Sequence, residues 1–206
     1  GNSDERNRNF NYFRFRKNAG AWMVMKNVGV LALQGAVEEH IRAINSLGFK
    51  GVEIRKPEQL KDVDGLILPG GESTAIGKLM KQFEFVDEIR AFASEGKPVF
   101  GTCAGMVLLC GGNEEGRLNL LDAEIVRNGF GRQRESFEAY LDVKGFDDKI
   151  PAVFIRAPYI ASTKAEVLSC IGEKIVFVKQ ANIMGCSFHP ELTDDNRIIE
   201  MFIDMI

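Results

Sequence analysis

The sequence predicts an α/β fold in which a mostly parallel central sheet is flanked by helices on both faces. Three observations support this prediction. Short apolar runs recur between residues 28 and 102, which is typical of strands buried on both faces. Segments with apolar residues at helical spacing alternate with these runs. Beyond Gly111 the strand-like segments follow one another with little helix between them, which favours antiparallel strands in the second half of the chain.

The alternating elements of the first half begin with the run VGVLAL over 28–33, which we expect to be a buried strand. In the next segment Val37, Ile41 and Ile44 lie at helical spacing, and Gly48 stands where a C-cap glycine belongs. Ser73 is the expected N-cap of a second helix. The remaining predictions in this half are strands over 52–54, 65–68 and 99–102, helices over 37–47, 73–82 and 85–94, and a helix that opens at Cys103.

The second half is expected to extend the sheet rather than to form a separate domain. The strand candidates there are 120–126, 137–143, 153–155, 167–170, 175–179 and 183–188. A closing helix is predicted over 194–205, because Ile198, Ile199 and Phe202 form an apolar face. We find no internal repeat and no linker between the halves, so residues 25–206 are interpreted as one domain.

Composition narrows the possible functions. The net charge of −3 provides no general basic surface for nucleic acid, and no apolar stretch reaches the roughly 20 residues that cross a bilayer. The four cysteines form no CxxC pair, and they favour a reducing, cytoplasmic location. Residues 1–24 are rich in Asn and Arg without either periodicity, and we interpret them as a disordered leader or a cloning remnant. A segment that contacts RNA or a partner is the alternative.

Cys103 is the candidate nucleophile. It follows the apolar run over 99–102 and precedes a helical segment, with Gly101 and Gly105 on either side. A cysteine at such a strand-to-helix turn can be held in a strained conformation with its sulfur exposed. A buried structural thiol is the commoner role of a cysteine and remains the alternative.

A base for this thiol is available in the segment Phe188-His189-Pro190-Glu191. Only two histidines occur in the chain, and the other, His40, is interpreted as a solvated residue in the middle of a helix. His189 ends an apolar strand, and Pro190 biases it towards an extended backbone. Extended geometry would place Glu191 on the same side, where its carboxylate can orient the imidazole. The alternative is a histidine at a strand end beside an exposed glutamate.

A second loop, Pro69-Gly70-Gly71-Glu72-Ser73, follows the strand over 65–68. Its glycines allow backbone N–H groups to point into a cleft, where they can stabilise an oxyanion. The N–H of Ala104, directly after the nucleophile, would be the second donor. Glycine-rich turns are common, so this loop is informative only together with Cys103 and His189.

These segments together resemble the triad-type (class I) glutamine amidotransferases, and within them the branch that supplies ammonia to pyridoxal 5'-phosphate synthases. The resemblance runs from about Val28 to the C-terminus. It implies a glutamine amidotransferase domain over 25–206 that hydrolyses glutamine to glutamate and ammonia. The matching segments are VLALQG (30–35), PEQL (57–60), LILPGGEST (66–74), GTCAG (101–105), RNGFGRQ (127–133), FIRAP (154–158) and SFHPELTD (187–194).

The resemblance also implies individual roles. Cys103 would be the nucleophile, His189 the base and later the acid, and Glu191 its orienting partner. Gly71 and Ala104 would form the oxyanion hole. The glutamine pocket would be lined by Gly71, Glu72, Ser73, Arg127, Ile155 and Arg156, while Gln34 and Gly35 would lie near the oxyanion region and the partner subunit.

The implied partners are L-glutamine and the synthase subunit of pyridoxal 5'-phosphate synthase, in a hetero-oligomer without nucleic acid or membrane. No metal or cofactor is expected. An amidotransferase subunit of another pathway and a non-catalytic interaction module remain alternatives. The segments RNGFGRQ and FIRAP argue against the first, and the intact set of Cys103, His189 and Glu191 argues against the second. The glycine-rich segment over 110–116 departs from the family pattern and is expected to alter a loop near the site.

Overall fold

The computed structural model of the chain describes residues 14–17, 21–131 and 135–206. The segment over 1–24 interpreted as a leader therefore lies partly outside the described residues. Within it, Arg14–Lys17 (β1) pairs antiparallel with Ala21–Val24 (β2). Arg132 and Gln133 of the RNGFGRQ segment also lie outside the described residues. No helix among the described residues is long and apolar enough to cross a membrane.

The central element of the fold is a nine-stranded sheet. Its strands are β3 (Asn27–Leu31), β4 (Lys50–Ile54), β5 (Gly65–Leu68), β6 (Val99–Thr102), β7 (Ala123–Val126), β10 (Tyr159–Thr163), β11 (Glu166–Ile171), β12 (Lys174–Gln180) and β13 (Ile183–Cys186). A separate antiparallel pair consists of β8 (Ser136–Leu141) and β9 (Ile150–Ile155). The helices are α1 (Val37–Ser46), α2 (Ser73–Gln82), α3 (Val86–Ser94), α4 (Ala104–Leu109) and α5 (Arg197–Ile203).

The order of the strands brings the ends of β6 and β13 together. Neighbouring strands follow the order β4-β3-β5-β6-β13-β12-β10-β7, and β11 pairs with β12. The pairs from β4 to β13 are parallel, whereas the strands beyond β13 are joined antiparallel. The predicted fold class is thereby confirmed. Since the carboxyl ends of β5, β6 and β13 lie on one edge, residues that directly follow them share one site.

Helices cover both faces of the sheet because successive strand residues point in opposite directions. On one face, α1 and α5 pack on Ile67 and Phe100. On the other face, α2, α3 and α4 pack on Leu66, Leu68 and Val99. The central strands β5, β6 and β13 are therefore buried along their whole length, as the continuous runs in the sequence indicated.

Several predicted boundaries were wrong. The strand expected from residue 120 begins at Ala123, because the backbones of Leu120 and Leu121 bond to Leu109 instead of a strand. The strand β10 and a 3-10 turn over Pro57–Asp62 were missed. The N-cap of α2 is Glu72 rather than Ser73, since the Glu72 carboxylate accepts hydrogen bonds from the N–H groups of Thr74 and Ala75.

Candidate active site

Cys103 forms a sharp turn between β6 and α4. Its φ of 52° and ψ of −109° are unfavourable for a residue with a Cβ, so the turn is strained. The Cys103 N–H donates to the carbonyl oxygen of Cys186, 2.8 Å away, which ties the turn to the end of β13. The expected strain is present, but the expected exposure of the sulfur is not, because Cys103 is only 6% exposed.

The turn requires small residues on either side. A Cβ on Gly105 would overlap the carbonyl oxygen of Leu68 at the end of β5, and a Cβ on Gly101 would overlap that of Gly105. Glycine at both positions therefore lets α4 begin directly against the sheet. This close approach holds Cys103 at the sheet edge.

The pairing of β6 with β13 brings His189 to the same place. Thr102 lies opposite Cys186 in the parallel register, so Cys103 and His189 lie just beyond paired strand ends. His189 lies three residues beyond the end of its strand rather than at the end itself. Both side chains pack around Gly70, where a Cβ would lie 2.5 Å from His189 Cε1 and 3.5 Å from Cys103 Cβ. Any larger residue at this position would push the imidazole away.

Glu191 contacts the other side of the imidazole. Its Oε1 lies 2.7 Å from His189 Nδ1, and the Glu191 side chain is completely buried. The predicted extended geometry was wrong, because Pro190–Leu192 form a 3-10 turn in which the Leu192 N–H donates to the His189 carbonyl. The turn, rather than strand alternation, makes the contact.

This arrangement keeps a proton on His189. Burial alone would lower its pKa, but hydrogen bonds and charge attraction from Cys103 and Glu191 outweigh burial and raise the pKa to about 10. Burial would raise the pKa of Glu191, but its contacts with His40 and His189 outweigh burial and lower it. The site therefore favours an imidazolium between a carboxylate and the sulfur, and an imidazolium stabilises a thiolate.

His40 is a functional candidate that the sequence interpretation missed. It was expected to be solvated, but it is fully buried on the inner face of α1 beside Ala43 and Ile44. Its Nε2 lies 3.4 Å from Glu191 Oε2 and 3.3 Å from Thr102 Oγ1. The i, i+4 spacing of His40 and Ile44 was the sequence signal for this face.

Two of the other cysteines lie in environments that oppose a thiolate. Burial raises the pKa of the Cys110 thiol to about 12 and that of Cys186 well above its usual range. Cys170 is exposed. Cys103 therefore differs from Cys110 and Cys186 in having an imidazolium beside it.

A cleft of about 460 Å³ opens over Cys103, and its size suits a small ligand. His189 and Glu191 lie behind Cys103, and Ile155 contributes its carbonyl oxygen, which is 3.7 Å from Cys103 Sγ. The sequence-predicted residues that line the cleft are Gln34, Gly71, Glu72, Ser73, Cys103, Ala104, Arg127 and Arg156.

The segment with Gln34 and Gly35 supports the loop with Gly70 and Gly71. Gln34 Oε1 accepts a hydrogen bond from the Glu72 N–H at 3.0 Å. The Ala36 N–H donates to the Gly70 carbonyl at 3.1 Å, and a Cβ on Gly35 would overlap the same oxygen. Movement of this segment would therefore move the proposed oxyanion donor.

Glu114 is a second residue that the sequence interpretation missed. It belongs to the glycine-rich segment over 110–116, and its Oε2 lies 2.6 Å from Arg127 Nη2. Both side chains are partly exposed and line a neighbouring cavity of about 750 Å³. The glycine-rich segment over 110–116 thus reaches a guanidinium of the cleft, and no local sequence pattern indicates this contact.

The comparisons with known proteins agree with this geometry. A family model described as the SNO glutamine amidotransferase family matches residues 30–206. The chain belongs to this family. The resemblance predicted from the motifs is therefore confirmed, and with it the assignment of the chain as a glutamine amidotransferase.

Individual relatives cover most of the chain. The pyridoxal 5'-phosphate synthase subunit PdxT of Bacillus velezensis is 54% identical over 186 residues, which are 88% of this chain and 95% of that protein. The protein of the same name from Listeria welshimeri is 54% identical over 187 residues, which are 87% and 98% of the two chains. A crystal structure of a glutamine amidotransferase superposes with a TM-score of 0.82 at 45% identity, covering 86% and 97%.

Replacing Glu191 with Gln is predicted to lower the pKa of His189 by at least about one unit towards the ordinary value of about 6.5, because the charge partner is lost. The imidazole resonances of two histidines, followed by ¹⁵N-edited NMR from pH 5 to 10.5, provide the measurement. Since the pKa of His189 is raised in the folded state, its contribution to the free energy of unfolding is complete below about pH 6.5 and is lost as the pH rises towards 10. Glu38→Gln, an exposed change in α1, is the control, and an unchanged His189 pKa in Glu191→Gln would contradict the arrangement.

Proposed function

We propose that this chain is the glutaminase subunit of a pyridoxal 5'-phosphate synthase. It would hydrolyse L-glutamine through a thioester on Cys103 and deliver ammonia to the synthase subunit. The observation that carries this proposal is the position of Cys103, on a strained turn beside an imidazole that Glu191 holds. The names of the relatives from Bacillus velezensis and Listeria welshimeri support the pathway.

The first half of the reaction follows from the positions of the groups. The Cys103 thiolate attacks the side-chain amide carbon of glutamine, and the carbonyl π electrons move to oxygen. The N–H groups of Gly71 and Ala104 are proposed to stabilise that oxyanion. His189 then donates its proton to the amide nitrogen, the C–N bond breaks, and ammonia leaves behind a Cys103 thioester.

The second half returns the enzyme to its starting state. Neutral His189 takes a proton from water as the water oxygen attacks the thioester carbonyl. The C–S bond then breaks, which releases glutamate and the thiolate beside the imidazolium. Glu191 stays ionised throughout and holds the Nδ1–H, so that Nε2 is the nitrogen that exchanges protons.

Substrate positioning is proposed to rest on the charged residues around the cleft. A guanidinium binds a carboxylate with two parallel hydrogen bonds, and Arg127 and Arg156 both line the cleft. We assign Arg127 to the α-carboxylate of glutamine. The Glu72 carboxylate is occupied in capping α2, so its contribution is to fix the loop and to add negative charge near the amino group.

The proposal also covers the surface that faces the partner, the bounds of the domain and the location of the protein. The synthase partner is placed against the segment with Gln34 and Gly35, because this segment holds the loop of the oxyanion hole. The amidotransferase domain is proposed to span residues 25–206. All four cysteines are free thiols, which suits a cytoplasmic location.

Cys103→Ala is expected to abolish glutamate release from glutamine, because no thioester can form. Glu191→Gln is expected to cost less, since it weakens the orientation of the base without removing it. Initial rates of ammonia and glutamate release, with and without a pyridoxal 5'-phosphate synthase subunit, provide the measurement. Stimulation by that subunit alone among acceptor subunits supports the pathway, and glutaminase activity retained by Cys103→Ala would overturn the mechanism.

Glu114→Gln is expected to lower the KM for glutamine about two- to fivefold with kcat unchanged, because the Glu114 carboxylate competes with the substrate carboxylate for Arg127. The range corresponds to about 0.4–1 kcal/mol, which lies within the free energies of exposed ion pairs. Steady-state kinetics at low ionic strength provide the measurement. Glu115→Gln is the matched control, because Glu115 pairs with Lys81 instead. A higher KM in Glu114→Gln would show that Glu114 positions Arg127 rather than competing for it.

A further inference from the structure

We propose that His40 is a positioning residue of the active site, which holds the Glu191 carboxylate in the orientation that serves His189. The inference rests on the proposed glutaminase function, since the orientation of Glu191 affects catalysis only if the chain hydrolyses glutamine. His40 lies on α1, remote in sequence from the segments that carry Cys103 and His189. It belongs to a continuous row of buried side chains, namely Cys103, His189, Glu191 and His40, with Thr102 beside the last.

The two oxygens of Glu191 face different histidines. Oε1 lies 2.7 Å from His189 Nδ1, and Oε2 lies 3.4 Å from His40 Nε2. The side chains of Glu191 and His40 are both completely buried. Oε2 accepts no hydrogen bond from the described residues, and the His40 ring is a polar side chain that lies directly beside it.

The polarity of this contact follows from the tautomer of His40. If the proton were on Nδ1, a buried N–H would lack a partner and the Nε2 lone pair would face a carboxylate oxygen. With the proton on Nε2, the N–H bonds to Thr102 Oγ1, and its positive end lies 3.4 Å from Glu191 Oε2, where the contact is electrostatic rather than a hydrogen bond. The second tautomer avoids both the orphaned donor and the repulsion, so His40 donates.

A buried carboxylate is stabilised by the positive end of such a dipole. Removing a charge from water is costly unless hydrogen bonds replace the lost hydration, and one oxygen bonded to His189 leaves the other without compensation. Without His40, the carboxylate could rotate so that both oxygens share the Nδ1–H or turn away from it. Rotation would release the imidazole from its position beside Cys103.

Thr102 connects this contact to the nucleophile. It is the last residue of β6, directly before Cys103, and it is fully buried with its hydroxyl 3.3 Å from His40 Nε2. His40 therefore contacts both the residue that precedes the nucleophile and the residue that orients the base. A displacement of α1 would disturb both contacts together.

The first test compares three replacements of His40 in the full chain, assayed with the synthase subunit present. His40→Leu removes the donor at similar size, whereas the amide nitrogen of His40→Gln reaches the place of Nε2. His40→Asn is polar, but its amide reaches only the place of Nδ1. We expect kcat to fall about tenfold or more in the Leu and Asn variants, as happens when hydrogen-bond partners of site residues are removed in other enzymes. The KM for glutamine should stay within about twofold of the wild-type value, and kcat should recover in the Gln variant.

The second test is a double-mutant cycle with Glu191→Gln. If His40 acts through Glu191, then His40→Asn should cost less than about twofold in kcat once Glu191→Gln is already present. An equal loss in both backgrounds would overturn the proposal, because it would show a structural effect independent of Glu191. Equal kcat in wild type, His40→Leu and His40→Asn would also overturn it.

Two controls separate the possible failures. Glu38→Gln changes an exposed residue of the same helix and should leave kcat and the thermal midpoint unchanged. Thermal unfolding of each variant identifies loss of fold, and the comparison between the Gln and Asn variants remains decisive if His40→Leu does not fold. A wild-type protein without glutaminase activity would refute the proposed function, whereas an active wild type with unaffected His40 variants would refute this inference alone.

Discussion

The constraint on which the site depends is the turn at Cys103, where β6 becomes α4 within a single residue. The backbone of Cys103 has a positive φ, and Gly101 and Gly105 pack so closely against neighbouring carbonyl groups that they fix the course of the chain on either side. The hydrogen bond from the Cys103 N–H to Cys186 fixes the turn to β13, the strand that leads to His189. Strain at the proposed nucleophile and the position of the proposed base therefore come from the same packing at the edge of the sheet.

Burial of charge is the second constraint, and it follows from the first. His189 and Glu191 are almost completely removed from water, so each needs a partner of opposite charge or a donor. The row from Cys103 to His40 provides these partners in alternation: sulfur, imidazolium, carboxylate and neutral imidazole. The partly exposed ion pair of Glu114 and Arg127 is held more weakly, because solvent screens the attraction between its charges, and we propose that a substrate carboxylate takes the place of Glu114.

Sequence reasoning was most accurate where one local pattern decides the structure. The continuous apolar runs predicted both ends of β5 and β6 correctly, since a strand buried on both faces has few polar positions. It was wrong for His40, whose acidic neighbours suggested a solvated helix face although its spacing from Ile44 marked the buried one. The contact of Glu114 with Arg127 was not predictable, because it depends on the path of a loop that only the folded chain defines.

Selective labelling of the thiols would show whether this turn makes Cys103 the nucleophile. Accessibility alone favours Cys170, which is exposed, whereas Cys103 is 6% exposed and opens only onto the cleft. The chain is treated with an electrophilic analogue of glutamine, and the modified peptide is identified by mass spectrometry. We predict one adduct, on Cys103, whose formation excess glutamine prevents. An adduct on Cys170, or labelling of Cys103 that glutamine does not slow, would contradict it.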